Sequence, residues 1–274
     1  MSLLILGGTG EAKLLAQRLH TQGLSVIYSI AGLVRQPDLS CPVISGGFSQ
    51  FGGLDNYLLA HNIQHIVDLT HPYAATMSAK AMQTAHQRGI GYCRFERPAW
   101  NIATFKQAQY FQTLSDLPDV LAHQQRILLT VGQVPEAVLQ RLAATSQQLI
   151  IRTAVALDFP LPDNVTYLKA IGPFAYADEL ALLQRYQIDA LVSKNSGGDA
   201  TQAKITAAQT LDIPLFFLAR PEIAASAETL NFISVGELEA HLLQCAPAQS
   251  FSDASSRAKH AAPDQPSNEL PINE

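Results

Sequence analysis

Short apolar runs alternate with longer helix-like segments along most of this chain, and that alternation limits the folds open to it. In the first half, apolar runs at 3–6, 25–30 and 66–69 alternate with helix-like segments at 11–20, 54–60 and 76–87. In the second half, strands are predicted at 126–131, 148–152, 190–193 and 214–218, and helices at 135–144, 177–186, 201–211 and 235–244. Strands and helices that alternate in this way form βαβ units, which build parallel sheets covered by helices.

The length of the chain favours two domains of ordinary size. Its 274 residues exceed the usual size of a single core. The polar stretch 97–107 is the best boundary, so we expect an N-terminal lobe at 1–100 and a C-terminal lobe at 101–245. From Ala246 the sequence has almost no apolar periodicity, and residues 246–274 are predicted to be a disordered tail.

Composition excludes several classes of function. A net charge of -5 and a pI near 5.9 argue against a nucleic-acid-binding protein, which usually has a basic balance. No apolar run reaches the length of about 18 residues that a membrane span needs. The three cysteines are widely spaced without a CxxC pair, so a cytoplasmic location is expected, and the dispersed histidines predict no metal site. We expect a monomer or a weak oligomer.

The stretch 65–75 is the most informative part of the first half, because an apolar strand there runs into a cluster of polar and aromatic side chains. Asp68, Thr70, His71 and Tyr73 follow or end this strand, and Pro72 keeps His71 extended. Ligands bind at the carboxyl ends of strands in open α/β sheets. His71 and Tyr73 are therefore the candidate catalytic residues, with Asp68 or a bound water as alternative proton donors.

A glycine-rich turn follows the first strand. Gly8, Thr9, Gly10 and Glu11 lie between that strand and a helix, where glycines let a phosphate approach the backbone and the helix N-terminus. The GxGxxG pattern is incomplete, because its third position falls on Lys13. Phosphate binding is favoured, although a turn of this kind also serves chain reversal alone.

The end of the second strand indicates which nicotinamide the chain prefers. NAD-binding proteins usually carry an acidic residue there, whereas this chain has Ser29, followed by Gly32 and then Arg35. Without that carboxylate a 2′-phosphate is not repelled, and Arg35 could pair with it, so we expect NADPH to be preferred over NADH. A second glycine-rich stretch places Gly47 beside Phe48, and these two residues are predicted to approach a planar ligand.

Taken together, these segments resemble the precorrin-6A reductase family over about residues 3–221. The motifs that carry the resemblance are Gly7-Gly8-Thr9-Gly10-Glu11, Ser29-Ile30-Ala31-Gly32, Gly46-Gly47-Phe48, Asp68-Leu69-Thr70-His71-Pro72-Tyr73-Ala74, Arg94-Phe95-Glu96-Arg97-Pro98-Ala99-Trp100 and Ser193-Lys194-Asn195-Ser196-Gly197-Gly198. Family members often carry Ala-Gly-Arg after the second strand, whereas here Arg35 stands two positions later.

The resemblance implies an α/β fold with two Rossmann-like lobes, parallel sheets and an interlobe cleft. It also implies hydride transfer from NADPH, or NADH, to a double bond of a tetrapyrrole substrate with acetate and propionate groups. The residues that this resemblance places at the cofactor are Gly8, Thr9, Gly10, Glu11, Ser29, Gly32, Arg35, Gly47, Phe48, Thr70 and His71. Those that it places at the substrate are Arg94, Arg97, Trp100, Lys194, Asn195, Ser196 and Gly197.

Two other functions are alternatives for a chain with this pattern. A non-catalytic NAD(P)-binding regulatory protein on the same fold is the main alternative, since fold alone does not distinguish it from an enzyme. A short-chain dehydrogenase would need a Tyr-x-x-x-Lys pair, but the residues four positions after Tyr73 and Tyr176 are Met77 and Leu180. Hydrolase chemistry has no GxSxG motif to support it.

Overall fold

The chain forms two parallel sheets covered by helices, as a computed structural model shows for residues 1–32, 37–223 and 229–246. In this described part each sheet has six strands, and the α/β fold with parallel sheets is confirmed. Five strands of the first sheet come from the N-terminal half: β1 (Ser2–Leu6), β2 (Ser25–Ile30), β3 (Val43–Ser45), β4 (His65–Asp68) and β5 (Gly91–Phe95). Its helices there are α1 (Gly10–Thr21), α2 (Leu54–Ala60) and α3 (Ala75–Arg88).

The central strands of the first sheet are apolar on both faces, because helices cover both. Leu3 and Ile5 of β1 face a core with α1, whereas Leu4 and Leu6 face a core with α2 and α3. All four are almost fully buried. This explains why β1 reads as a continuous apolar run rather than an alternating one.

The second sheet is built from the middle of the chain. Its strands are β6 (Ala108–Phe111), β7 (Arg126–Thr130), β8 (Gln148–Thr153), β9 (Val165–Lys169), β10 (Ala190–Lys194) and β11 (Leu215–Leu218). Its helices are α4 (Leu117–Val120), α5 (Glu136–Thr145), α6 (Tyr176–Arg185) and α7 (Gln202–Thr210). Short 3-10 turns occur at Phe48–Phe51, Ile102–Thr104, Leu114–Asp116 and Asp199–Thr201.

The last described segment does not lie where the expected boundary of 101–245 places it. Strand β12 (Leu230–Phe232) joins the first sheet beside β5, with Leu230 opposite Cys93. Helix α8 (Val235–Cys245) then packs against α1, and its Leu238 and Leu242 are fully buried in the first core. The first lobe is therefore completed by residues 230–246, and the second lobe is an insertion between β5 and β12. The tail from 247 lies outside the described residues.

Strand order shows where ligands are expected. The first sheet runs β12-β5-β4-β1-β2-β3, and its order reverses between β1 and β4. The second runs β6-β11-β10-β7-β8-β9, with the reversal between β7 and β10. At such a reversal the loops leave in opposite directions and open a crevice at the carboxyl ends of the strands. The 7–10 turn and the 69–74 loop leave the first crevice, and the 195–198 turn leaves the second.

Candidate functional site

The 7–10 turn rests on a buried tyrosine. A Cβ on Gly7 would lie 2.2 Å from Cζ of Tyr28, so only glycine fits above this ring. The amide of Gly8 donates to the Tyr28 hydroxyl at 2.9 Å, and Gly8 has a φ of +107°, in the region that favours glycine. Tyr28 was not predicted as a site residue. It shapes the turn from below.

Thr9 joins this turn to the neighbouring strand. Its side chain accepts from the amide of Ala12 at 3.2 Å, as an N-cap, and donates to the carbonyl of Leu69 at 2.9 Å. A Cβ on Gly10 would have nothing within 4 Å. In the described residues no acceptor faces the amides of Gly10 and Glu11, the first two residues of α1. The turn therefore presents open backbone donors at a helix N-terminus.

Two cavities meet at this turn. One of 490 Å³ is lined by Gly8, Thr9, Gly10, Glu11, Leu14, His71, Arg97, Ser196, Gly198, Asp199, Ala200 and Thr201. The other, of 600 Å³, lies toward the end of β2 and includes Gly8, Lys13, Ser29, Gly32, Thr70, His71 and residues 171–173 of the second lobe. Both include Gly8 and His71. We call the two together the interlobe cleft, because each has walls from both lobes.

His71 bridges the lobes as a neutral imidazole. Its Nδ1 accepts from the amide of Tyr73 at 3.3 Å, and its Nε2 lies 3.2 Å from the hydroxyl of Ser196. Burial, with the positive charges of Lys194, Arg97, Arg220 and Lys204, lowers the pKa of His71 to about 4. At neutral pH the single ring proton therefore sits on Nε2 and points at Ser196.

Tyr73 is held by the second lobe. Its hydroxyl donates to the carbonyl of Leu218 and accepts from the amide of Asn195 at 2.9 Å. Burial raises its pKa to about 12. Lys194 Nζ lies 5.2 Å from the centre of the Tyr73 ring, and burial lowers the pKa of this lysine. The Tyr73 proton is directed at a backbone carbonyl and not into the cleft.

Asp68, the alternative proton donor, is also engaged. Its carboxylate is 1% exposed and accepts from the amide of Thr70 at 2.9 Å and from the hydroxyl of Tyr92 at 2.8 Å. Thr70 itself lies 3.2 Å from the hydroxyl of Ser78. These bonds give Asp68 the role of shaping the loop that carries His71.

Arg97 ties the two lobes together. Its guanidinium forms an ion pair with Glu11 at 2.6 Å and donates to the carbonyl of Ser196 at 3.3 Å. Arg220, which was not predicted, donates to the carbonyls of Asn195 and Arg97 at 2.9 and 2.6 Å. Its position just after β11 and before a proline was the available signal. Each arginine makes two of these bonds, while Nε of Arg97 and Nη2 of Arg220 are buried without a hydrogen-bond partner in the described residues.

Asn195 and Trp100 do not fit the substrate contacts expected of them. Asn195 is fully buried. Its side-chain oxygen accepts from the backbone amide of Trp100, and its side-chain nitrogen donates to the carbonyl of Trp100 and to the hydroxyl of Tyr110. The Trp100 ring packs into the second core, 6.2 Å from the Phe217 ring. These two residues fix the connection between the lobes, and neither lines the cleft.

Other expected residues also lie apart from the cleft. Arg94 lines a separate cavity of 720 Å³ with Pro72, Tyr92 and Arg220. Gly47 precedes the 3-10 turn at Phe48–Phe51, and the Phe48 ring packs edge-on against Tyr57 at 5.4 Å. Neither Gly47 nor Phe48 is among the residues that line the cleft. Arg35 lies outside the described residues.

The second lobe contains a buried charged cluster that was not predicted from the sequence. Arg152 and Glu179 form an ion pair at 2.8 Å, and both side chains are almost fully buried. Arg152 also stacks on Phe174, 4.1 Å from the ring centre. Lys204 is buried nearby, and burial, followed by the charge of Arg152, lowers its pKa to about 7. The helical pattern of the sequence does not predict such a cluster, because Glu179 and Lys204 lie on different helices.

In the described residues, no helix is both long and apolar enough to cross a membrane. The same part of the chain holds no group of three or more histidine, cysteine, aspartate or glutamate side chains placed to bind a metal ion.

Comparison with known proteins gives one consistent result. The family model described as "Precorrin-6x reductase CbiJ/CobK" matches residues 2–241. The precorrin-6A reductase of Rhodococcus erythropolis is 39% identical over 85% of this chain and 94% of its own. The cobalt-precorrin-6A reductase of Methanothermobacter thermautotrophicus is 26% identical over 89% of this chain and 84% of its own. A solved structure of "CobK precorrin-6A reductase" superposes with a TM-score of 0.78 at 31% identity, covering 89% and 97% of the two chains.

Proposed function

The chain belongs to the precorrin-6x reductase family, and we propose that it reduces cobalt-free precorrin-6A with NADPH bound in the interlobe cleft. As a member of this family it is an oxidoreductase of cobalamin biosynthesis that acts on a double bond of the macrocycle. The observation that carries the proposal is the meeting of the two cavities at Gly8 and His71, between the crevices of the two sheets.

The first lobe fits a dinucleotide. The 7–10 turn presents open amides at the start of a 12-residue helix, and the cavity beside it reaches Ser29 and Gly32 at the end of β2. A phosphate is stabilised by such amides, and the ribose of a dinucleotide lies at the second strand. A bound reduced nicotinamide supplies the hydride. The protein's own part is to hold this carrier against the macrocycle and to exclude water.

NADPH is preferred because the cavity at β2 is cationic and not acidic. Lys13 lines it together with Ser29, Gly32 and Pro37, and no carboxylate is among its lining residues in the described ranges. A carboxylate there would bind the ribose hydroxyls of NADH and repel the 2′-phosphate of NADPH. Arg35, three residues beyond Gly32, is proposed as a second cation for that phosphate.

Lys194 is not among the residues that line the two cavities, and it is the best candidate outside them for binding a carboxylate group of the macrocycle. It ends β10 at the reversal of the second sheet, and no carboxylate lies within ion-pair distance of it in the described part of the chain. Arg97, by contrast, already neutralises Glu11. An ammonium without a counter-ion gains a strong bond from an incoming carboxylate.

We assign His71 and Tyr73 positioning roles, and the proton that must accompany the hydride then comes from a bound water, the alternative donor. A general acid must direct its proton at the reacting group, and both protons here are directed at protein atoms, the Ser196 hydroxyl and the Leu218 carbonyl. Their bonds across the lobes instead keep the 69–74 loop against the 195–198 turn. These bonds therefore connect the two walls of the cleft.

The names of the relatives support a cobalt-free substrate, because the name changes as the sequence identity to this chain falls. The relative of higher identity is named for precorrin-6A and the one of lower identity for its cobalt form. We therefore expect turnover with precorrin-6A and little with cobalt-precorrin-6A.

The test is anaerobic incubation of the full chain with each macrocycle and with NADPH or NADH. Macrocycle absorbance and nicotinamide oxidation are followed together, and both are expected to change in equal amounts with precorrin-6A and NADPH. Lys194→Met is expected to raise KM for the macrocycle while the NADPH affinity stays unchanged. NADPH binding without any oxidation in the presence of both macrocycles would instead support a regulatory protein.

A further inference from the structure

Ser196 is a buried hydroxyl of the second lobe that lines the same cavity as the 7–10 turn. It is 4% exposed, and it shares the 490 Å³ cavity with Gly8, Thr9 and Gly10. Its amide donates to the carbonyl of Lys194 at 2.9 Å, and its carbonyl accepts from Arg97. The backbone of this residue is therefore fixed on both sides, and the side chain has a defined place on the cavity wall.

The direction of the Ser196 proton follows from His71. Because Nδ1 of His71 accepts from the amide of Tyr73, the imidazole proton is on Nε2, and Nε2 donates to the Ser196 oxygen. The serine proton then points away from His71. In the described residues no protein acceptor is within hydrogen-bond distance of it. A buried donor without an acceptor is unfavourable unless a ligand supplies one.

We propose that the Ser196 hydroxyl donates a hydrogen bond to a phosphate oxygen of the dinucleotide, and that His71 is the positioning residue that orients it. This rests on the proposed function, and it moves Ser196 from the substrate to the cofactor. The open amides of Gly10 and Glu11 form one wall of the cavity and Ser196 lies on another. Backbone amides and a hydroxyl that face one cavity can donate hydrogen bonds to the oxygens of a pyrophosphate.

A donor from the second lobe also fits the incomplete 7–10 turn. The 7–10 turn has lost one amide to Tyr28, since Gly8 donates to that hydroxyl at 2.9 Å. The GxGxxG pattern is incomplete as well, with Lys13 at its third position. The Ser196 hydroxyl of the facing lobe supplies a hydrogen-bond donor in place of the Gly8 amide. Binding of the dinucleotide then depends on contact between the lobes.

The experiment is titration of the full chain with NADPH in the absence of macrocycle, followed by nicotinamide fluorescence. Ser196→Ala is expected to raise Kd about tenfold, the effect of losing one hydrogen bond to a charged group. Ser193→Ala is the matched control, because this buried hydroxyl bonds the carbonyl of Lys194 and does not line the cleft. Its Kd is expected to equal that of the wild type.

The positioning role of His71 has its own readout. His71→Leu is expected to raise Kd by a similar factor, and Ser196→Ala in that background is expected to add little, because the two residues act as one unit. His71→Gln, whose amide group keeps an N–H donor, is expected to restore part of the affinity. The affinity for adenosine 2′-monophosphate, which has no pyrophosphate, is expected to be the same in wild type and Ser196→Ala.

Each outcome decides between the hypotheses. If Ser196→Ala binds NADPH like the wild type but shows a raised KM for precorrin-6A, the hydroxyl contacts the macrocycle and the proposal fails. Unchanged values of both constants also overturn it. If the wild type binds neither NADPH nor NADH, the cofactor assignment itself is wrong. Thermal unfolding of each variant shows whether it is folded, and Ser196→Gly replaces the alanine variant if that one is not.

Discussion

The 7–10 turn and the 195–198 turn occupy matching places, each after a central strand where the order of its sheet reverses. Their glycines nevertheless meet different surroundings. Cβ atoms on Gly8 and Gly10 would have nothing within 4 Å. A Cβ on Gly197 would lie 1.8 Å from the carbonyl oxygen of Pro98, and one on Gly198 would lie 2.9 Å from the Arg97 guanidinium.

This difference shows that the same local pattern serves two purposes. In the first lobe the absent side chains of Gly8 and Gly10 leave room for a ligand, whereas that of Gly7 leaves room for the Tyr28 ring. In the second they let the 97–98 segment of the lobe connection approach the backbone, so that Arg97 and Arg220 can reach carbonyl groups there. The donors that we propose for a ligand in this lobe are side chains, Ser196 and Lys194, and of these two Ser196 lines the cleft. A glycine-rich turn after a strand therefore indicates a close approach, and only the neighbours tell which group approaches.

The largest expected effect is on the stability of a Gly197 variant, in contrast to a Gly10 variant. Gly197→Ala places a methyl group against the backbone of Pro98 at a φ of +69°, and a contact of 1.8 Å forces one of the two backbones to shift. We expect a loss of about 5 kcal/mol or more in the free energy of unfolding, measured by urea denaturation. A change below about 1 kcal/mol would mean that the lobes do not approach so closely at this turn.

Arg97 and Arg94 give the second test, because they come from one motif and have different partners. Arg97→Met removes the partner of Glu11 and the bond to Ser196, and we expect a loss of about 3 kcal/mol. Arg94→Met is the matched control, because the Arg94 side chain has no ion pair or hydrogen bond in the described residues and lines a separate cavity. Its stability is expected to stay within about 0.5 kcal/mol of the wild type. Equal losses in urea denaturation would remove the distinction.

The sequence predicted well what depends on neighbours in the chain. The apolar run of β1, the glycines after it and the start of α1 all follow from local pattern, and the structure has them at the expected places within a residue or two. Strand β12 was missed because only three residues, two of them exposed, form it. Its pairing with β5 bridges residues more than a hundred positions apart, which no local period reveals.

The site was predicted less well, for a related reason. Arg94, Arg97 and Asn195 were recognised as polar residues near strand ends, but what each side chain bonds depends on segments from elsewhere. Asn195 is buried because Trp100 of the connection lies against it. The role of Tyr28 under Gly7 likewise depends on two strands that lie side by side. Residue type indicated the chemistry, and tertiary packing decided which side chains remain free for a ligand.

His71 links the two turns, and its protonation is expected to change the stability of the protein by a moderate amount. The folded protein lowers its pKa from 6.5 to about 4, so between these values the unfolded chain binds more protons and stability falls as the pH falls. Between about pH 7 and pH 5 this amounts to about 2 kcal/mol. His71→Asn lacks this pH-dependent contribution to stability. The difference in free energy of unfolding between wild type and variant is therefore expected to shrink by that amount when the pH falls from about 7 to about 5. A constant deficit in urea denaturation at both pH values would mean that the imidazole is not neutral in the fold.

The smallest effect on stability is expected at Gly10, where the effect on binding is large. Gly10→Ala adds a methyl group in open space at the start of α1, so the free energy of unfolding should change by less than about 1 kcal/mol. The same methyl group occupies the cavity above the free amides, and we expect Kd for NADPH to rise at least about tenfold. Gly236→Ala, at the second residue of α8, is the matched control, because its Cβ also has room there and lies away from the cleft. If both variants bind NADPH equally well, the 7–10 turn does not hold the phosphates, and its openness has no bearing on the cofactor.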